Sequence, residues 1–219
     1  MPTYDVKEAA GYLRVPPSTL RWWFFGQPAR REQRGYAPIF LGADPESGLI
    51  SFFNLVEAHV LSSLKIEYTS MRTNSVRRAL DHVRQNSPEK LHPLVTERFL
   101  TDGKDLFMDI LAEDKTIPSG ETVNVSLGGQ RPLDIMNEYL QLVDYEAGFA
   151  LKLFPKAGDR VIVLNPKISA GRPIVVGTGY LASIIRQRAL AGETPEELAR
   201  DYDLTQIEIE KAIKFTQAA

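Results

Sequence analysis

The sequence predicts an α+β protein: a winged helix-turn-helix at the N-terminus, a strand-rich middle and a three-helix, helix-turn-helix-like C-terminus. Three observations carry that expectation. Apolar residues at helical spacing, with cap residues, run through residues 5–25 and again after 180. Short apolar or β-branched runs separated by glycines fill much of 105–176. A Pro/Ser/Gly turn flanked by apolar runs follows the first helix pair. The matching division of the 219 residues is 1–100, 101–160 and 161–219.

Val6, Ala9, Ala10 and Leu13 share one helix face, and Asp5 suits that helix's N-cap. Arg14-Val15-Pro16 makes a tight break. A glycine would take a positive φ there more easily than Arg14, and Pro16 brings no capping hydroxyl. Pro17 fits the first turn of a second helix, where its missing N–H costs nothing. Gly26 and Pro28 end that helix. Two short helices joined by so short a turn form a helix-turn-helix. Leu20 and one of Trp22 and Trp23 are expected to pack on Ala9, Ala10 and Leu13, leaving Ser18, Thr19 and Arg21 outside.

Ile39-Phe40-Leu41 and Leu49-Ile50-Ser51-Phe52 flank Asp44–Gly48, which fits a β-hairpin serving as a wing. Asn54 opens a longer helix with Val56, Val60, Leu61 and Leu64 inward. Asn74-Ser75 opens another, with Val76, Leu80 and Val83 inward and Arg77, Arg78 and Arg84 outward. Beyond Asp105, strands are expected over Leu106–Leu111, Val123–Leu127, Tyr139–Val143, Phe149–Leu153 and Val161–Leu164, although Leu133–Leu142 also fits a helix. Ile174-Val175-Val176 is the last strand. Helices follow over Ala182–Leu190, Thr194–Tyr202 and Thr205–Phe215. Thr194, Pro195 and Glu197 make a capping box, and Thr205 with Glu208 repeats the pattern.

Composition narrows the function. With 43% apolar and 25% charged residues the chain suits a folded domain rather than bulk disorder. It has no cysteine, which excludes disulfides, thiolate metal sites and a cysteine nucleophile. The start shows no apolar signal region, and no run approaches the ~18 apolar residues of a membrane span, so a cytoplasmic, membrane-free protein is expected. His59, His82 and His92 match no metal-ligand spacing, and no nucleophile, P-loop or dinucleotide motif is present. Asp105 and Asp109 read as surface charges. A non-enzyme without cofactor is the expectation. Net charge is only −2, but residues 1–40 carry six bases against three acids, whereas 180–219 carry five bases against seven acids.

The basic end can bind duplex DNA. Small hydroxyls at the start of a recognition helix approach bases and phosphates, and arginine supplies a fork for guanine or phosphate. The candidate contacts are Pro17, Ser18, Thr19, Arg21 and Trp22, followed by Arg30, Arg31 and Arg34 on the neighbouring backbone. One recognition helix covers few base pairs, so a homodimer on operator DNA is expected. The helix from Asn54 and the C-terminal helices both offer a dimer contact, and the sequence does not choose between them. The C-terminal helix pair starts its second helix with Gln206, Glu208 and Glu210, whose carboxylates repel phosphate. Direct DNA contact there and a role in packing, dimerisation or partner binding both remain open.

Tyr4–Trp23, with Thr19-Leu20-Arg21 followed by two aromatics, resembles the winged helix-turn-helix of MerR-like regulators. That resemblance places a DNA-contacting arginine at Arg21 and an aromatic pair at Trp22 and Trp23. The family's usual Leu-Gly-Val-Ser turn is replaced by Leu13-Arg14-Val15-Pro16. A second resemblance covers 165–215. Asn165–Gly179 and Gly192–Thr205 look like the bacterial domain of unknown function 433. With His92-Pro-Leu and Phe99-Leu-Thr-Asp-Gly, the whole chain resembles a two-domain VapB-type antitoxin. The resemblance implies a PIN-like ribonuclease toxin as partner, with clustered carboxylates and a basic RNA path. On that expectation Glu208 and Lys211 would cover the path, or Arg172 would reach the carboxylates. Ile207, Ile209 and Phe215 would add apolar contact where they are not core. The alternative is a MerR-like transcriptional regulator whose middle and C-terminal parts sense a small ligand.

Overall fold

The computed structural model describes residues 2–28, 35–67, 73–113, 132–156 and 159–217. Strand β1 (Pro2–Asp5) runs straight into α1 (Val6–Leu13), whose first turn is capped by Asp5 accepting from the Glu8 N–H at 2.8 Å. After the turn come α2 (Pro17–Phe25), β2 (Leu49–Ser51), α3 (Phe52–Glu67) and α4 (Thr73–Asn86). Asn54 and Ser51 fasten the start of α3: each side chain accepts from the other's backbone N–H.

The wing hairpin differs from expectation. Ile39-Phe40-Leu41 forms no strand, and β2 pairs with the N-terminal β1 (Tyr4↔Ile50, Asp5↔Leu49). Only a single bridge, Asp44↔Leu49, closes the Asp44–Gly48 turn. The reason is burial: Ile39, Phe40 and Ile50 are all core residues, and Tyr4 supplies the apolar, β-prone partner for Ile50.

A short 3₁₀ turn (Pro93–Val95) and a π turn (Phe99–Gly103) lead into α5 (Lys104–Glu113). The strand expected over Leu106–Leu111 is therefore a helix. Phe107 and Leu111 are buried four apart, with Asp105 and Asp109 exposed four apart on another face. The second strand expected, Val123–Leu127, lies outside the described residues. Of the two readings of Leu133–Leu142 the helix holds: α6 (Pro132–Leu140) buries Ile135, Met136 and Leu140, and Tyr139 is helical. Among the described residues, the middle of the chain is thus less strand-rich than expected.

The strand expected over Tyr139–Val143 is displaced: its first residues finish α6, and only Val143 belongs to the observed strand, whereas the strands expected at 149–153, 161–164 and 174–176 lie where the sequence puts them. β3 (Val143–Glu146) and β4 (Phe149–Leu153) form an antiparallel hairpin through Ala147-Gly148, both at positive φ (51° and 85°). Two successive left-handed residues give the turn twist that suits adjacent strands. β5 (Ile162–Val163) pairs antiparallel with β6 (Ile174–Val175). Then come α7 (Ala182–Leu190), α8 (Pro195–Tyr202) and α9 (Gln206–Gln217). Thr194 and Glu197 make the reciprocal capping box read from the sequence, and Thr205 and Glu208 make the second.

One hydrophobic cluster joins these parts, running from Tyr4 and the α1–α2 pair through α3, α4, α5 and α6 to Ile209 and Phe215 of α9. Two contacts tie the ends of the chain together. Tyr12 stacks on Phe215 with ring centroids 5.9 Å apart. The Tyr4 hydroxyl donates to the Gly171 carbonyl at 2.9 Å. Among the described residues no helix is long and apolar enough to cross a membrane, and no group of three or more His, Asp or Glu is placed to hold a metal ion.

Candidate nucleic-acid interface and partner surface

The α1–α2 pair is built as its sequence requires. Leu20 is fully buried and Trp23 is the inward tryptophan, whereas Trp22 is 55% exposed. Burying a Leu-sized side chain contributes ~1.5–3 kcal/mol, enough to fix which face of α2 turns in. Pro17, Ser18 and Arg21 are exposed and Thr19 is half-buried, so these four and Trp22 line the outer side of α2. Arg14 does adopt the left-handed conformation (φ 55°, ψ 40°) that glycine would take more cheaply. Its N–H bonds to the Ala10 and Gly11 carbonyls, and the Val15 N–H bonds to Ala10, so the turn's backbone bonds offset the strain. Pro16 makes no side-chain cap, and Pro17 occupies the first helical position. Arg30, Arg31 and Arg34 lie outside the described residues.

Beside α2 lies a groove of about 440 Å³ lined by Thr19, Trp22, Tyr36, Ala37, Asn74 and Arg77, among others. Its far wall is the first turn of α4; its near wall is α2. Tyr36 is 54% exposed and bonds through its backbone in both directions to Gln27.

Beneath residues 39–42 sits a buried polar group. Glu57 is completely buried, with Oε2 3.0 Å from His92 Nδ1 and Oε1 without a partner. Burial pushes the Glu57 carboxyl above the usual carboxylate range, against the lowering pull of His92, Arg84 and Asn54. His59 lies along an inner face of α3, with Nε2 3.1 Å from the Tyr139 carbonyl; burial lowers it to about 4, so it is neutral at pH 7. Sequence reading expected Arg77, Arg78 and Arg84 to face outward. Arg84 instead turns in: its side chain is only 12% exposed and bonds to the Ile39 carbonyl. The signal was present: Arg77, Leu80 and Arg84 form one stripe of α4, and Leu80 is fully buried.

At the C-terminal end the expected partner residues separate. Ile209 and Phe215 are core residues (0% and 8% exposed) and are unavailable to a partner. The period of α9 explains it: Ile209, Ala212 and Phe215 fall on the stripe that packs on α7 and on Tyr12. Glu208 is occupied by its cap bonds with Thr205, which lower its carboxyl. Lys211 pairs with Asp159 at 3.2 Å. Ile207 (64% exposed) and Arg172, exposed and without an ion pair, are the two expected residues on open surface. Gln206 bonds to Glu196 and Glu210, so the outer start of α9 is a carboxylate-bearing network. A tight turn precedes Arg172, at the glycine of Gly171-Arg172-Pro173. Ser169, Ala170 and Gly171 are three successive left-handed residues (φ 48°, 54° and 81°).

Comparison with known proteins locates these features. Residues 162–216 match the family model described as "Protein of unknown function (DUF433)". Over 228 aligned residues the chain is 27% identical to a Mycobacterium tuberculosis protein named "Putative antitoxin VapB45", covering 97% of this chain and 93% of that one. The crystal structure of Rv2018 from Mycobacterium tuberculosis superposes with a TM-score of 0.66 at 24% identity, covering 97% and 98% of the two chains. The fold is therefore shared with that structure over nearly the whole chain, and the DUF433-like part begins at β5 and runs through α9.

Proposed function

We propose that this protein is the antitoxin of a type II toxin–antitoxin pair. It binds and neutralises a PIN-like ribonuclease and, as a homodimer, represses its own operon through α1–α2. The observation that carries the reading is end-to-end similarity to a protein named as an antitoxin, spanning both the α1–α2 pair and the DUF433-like part. The surfaces support a division of labour. The outer side of α2 offers hydroxyls, Arg21 and Trp22 to a major groove. The outer start of α9 offers carboxylates, which suit a basic protein surface and repel phosphate. With Ile209 and Phe215 in the core, toxin capture rests on exposed groups of the DUF433-like part, Ile207 and Arg172 among them.

The test is co-expression with the ribonuclease encoded beside it. The full chain should restore growth and co-purify with the toxin, and the complex should shift the duplex upstream of the gene. Light scattering should show a particle near twice 24.6 kDa. Growth arrest that the full chain never relieves contradicts the antitoxin reading. Duplex binding that responds to a metabolite, with no toxin capture, favours a ligand-sensing regulator instead.

A further inference from the structure

The segment Tyr36–Leu41 buries Ile39 and Phe40 yet joins no strand, so its backbone groups need other partners. Its N–H edge is bonded to α2: Ile39 and Phe40 both donate to the Trp23 carbonyl, at 2.8 and 3.0 Å. Its carbonyl edge is bonded by side chains at every second residue. Arg77 Nη2 donates to Ala37 at 2.5 Å, Arg84 Nη2 to Ile39 at 2.9 Å and Asn54 Nδ2 to Leu41 at 2.6 Å. The segment bends at Ile39–Leu41, which lets both N–H groups reach the one Trp23 carbonyl, and Arg77 and Arg84, seven apart, stand on one side of α4. The side-chain donors satisfy carbonyls that no strand partner reaches.

We infer that Arg77 and Arg84 of α4, with Asn54 of α3, are positioning residues for the DNA-reading face. They fix the 36–41 strap against α2 and against the Gln27–Tyr36 pair. The inference rests on the DNA-binding reading above and adds to it the part that sets its geometry. Charge-assisted bonds to carbonyls are stronger and more directional than neutral ones, so arginine suits this task. Packing carries the same message, since Phe40 lies edge-on to Trp23 at 6.0 Å and tilted on Phe24 at 5.4 Å.

Arg77→Gln is the primary variant, because Arg77 is half-exposed and its loss leaves the core intact. Arg84→Gln also strips charge from beside buried Glu57 and serves only if it folds. The readouts are duplex affinity far below the melting temperature, amide exchange at Ile39 and Phe40, and the melting temperature itself. For Arg77→Gln, affinity for the upstream duplex should fall about tenfold and exchange at the two amides should quicken about tenfold, the equivalent of one charge-assisted bond. Arg77→Lys, which keeps a donor, should recover part of both. Unchanged affinity overturns the positioning role. Reduced affinity with unchanged exchange also overturns it, since Arg77 would then touch DNA itself. A wild-type chain that binds no duplex overturns the DNA reading and the positioning role together, and that arm is separate from the variants.

Discussion

At the scale of single residues, the positions under most constraint are buried or strained. Glu57 is a fully buried carboxyl with one oxygen unpartnered among the described residues. Because burial raises its folded pKa above the ordinary unfolded value, its contribution to stability is complete below that unfolded value and is lost as pH rises through the folded one. Glu57→Gln removes this term, so the stability of the wild type relative to the variant should fall between acid and neutral pH. Urea denaturation of both proteins across that range checks it; a gap that is constant with pH contradicts it. Gly171 is constrained differently. A Cβ there would stand 2.0 Å from the Tyr4 hydroxyl, and the residue already sits at φ 81°. Gly171→Ala should therefore destabilise by roughly 1–3 kcal/mol or more, and a melting temperature equal to wild type would show that Tyr4 moves aside freely.

At the scale of elements, α2 and α9 each present one face to the core and one to a proposed partner. On α2, Arg21→Ala should weaken binding to the upstream duplex by ~1–3 kcal/mol if it reads a base edge. In gel-shift titration an equal loss on random duplex would assign Arg21 to phosphate. On α9, Ile209→Ala should cost ~2–5 kcal/mol of stability as a core truncation. Ile207→Asp should leave unfolding nearly unchanged while weakening toxin co-purification, because Ile207 is mostly exposed. The helices at both ends were legible because caps and period agree. Asp5, Thr194 and Thr205 mark starts, and buried stripes run at helical spacing behind them. The middle was not, because a short apolar run such as Leu106–Leu111 fits strand and helix alike. Pairing partners are non-local too: nothing near Ile50 says that its neighbour is Tyr4 rather than Ile39. The strap was hidden for the same reason, its donors lying tens of residues from their acceptors.

At the scale of the whole molecule, the α1–α2 pair and the DUF433-like part share one core rather than merely one chain. Tyr12 of α1 stacks on Phe215 of α9, and Tyr4 reaches under the left-handed turn to Gly171. A partner held on the C-terminal part would therefore sit on the same packed body as α2, as the proposed function requires. The two tryptophans, Trp22 and Trp23, both lie in α2, so their emission reports the N-terminal end alone. In urea their transition should coincide with the loss of helical signal from the whole chain, α7–α9 included, as one cooperative unfolding. Phe215→Ala, at the far end of the sequence, should lower both midpoints together, by about 3 kcal/mol for a buried phenylalanine truncation. A fragment ending at Phe154 should lose the native tryptophan spectrum, since it lacks Phe215 and the loop that receives Tyr4. A fragment that keeps that spectrum and still binds the duplex would show that the N-terminal half folds without its C-terminal support, and the coupling between the two functions would then have to run through the toxin rather than through this core.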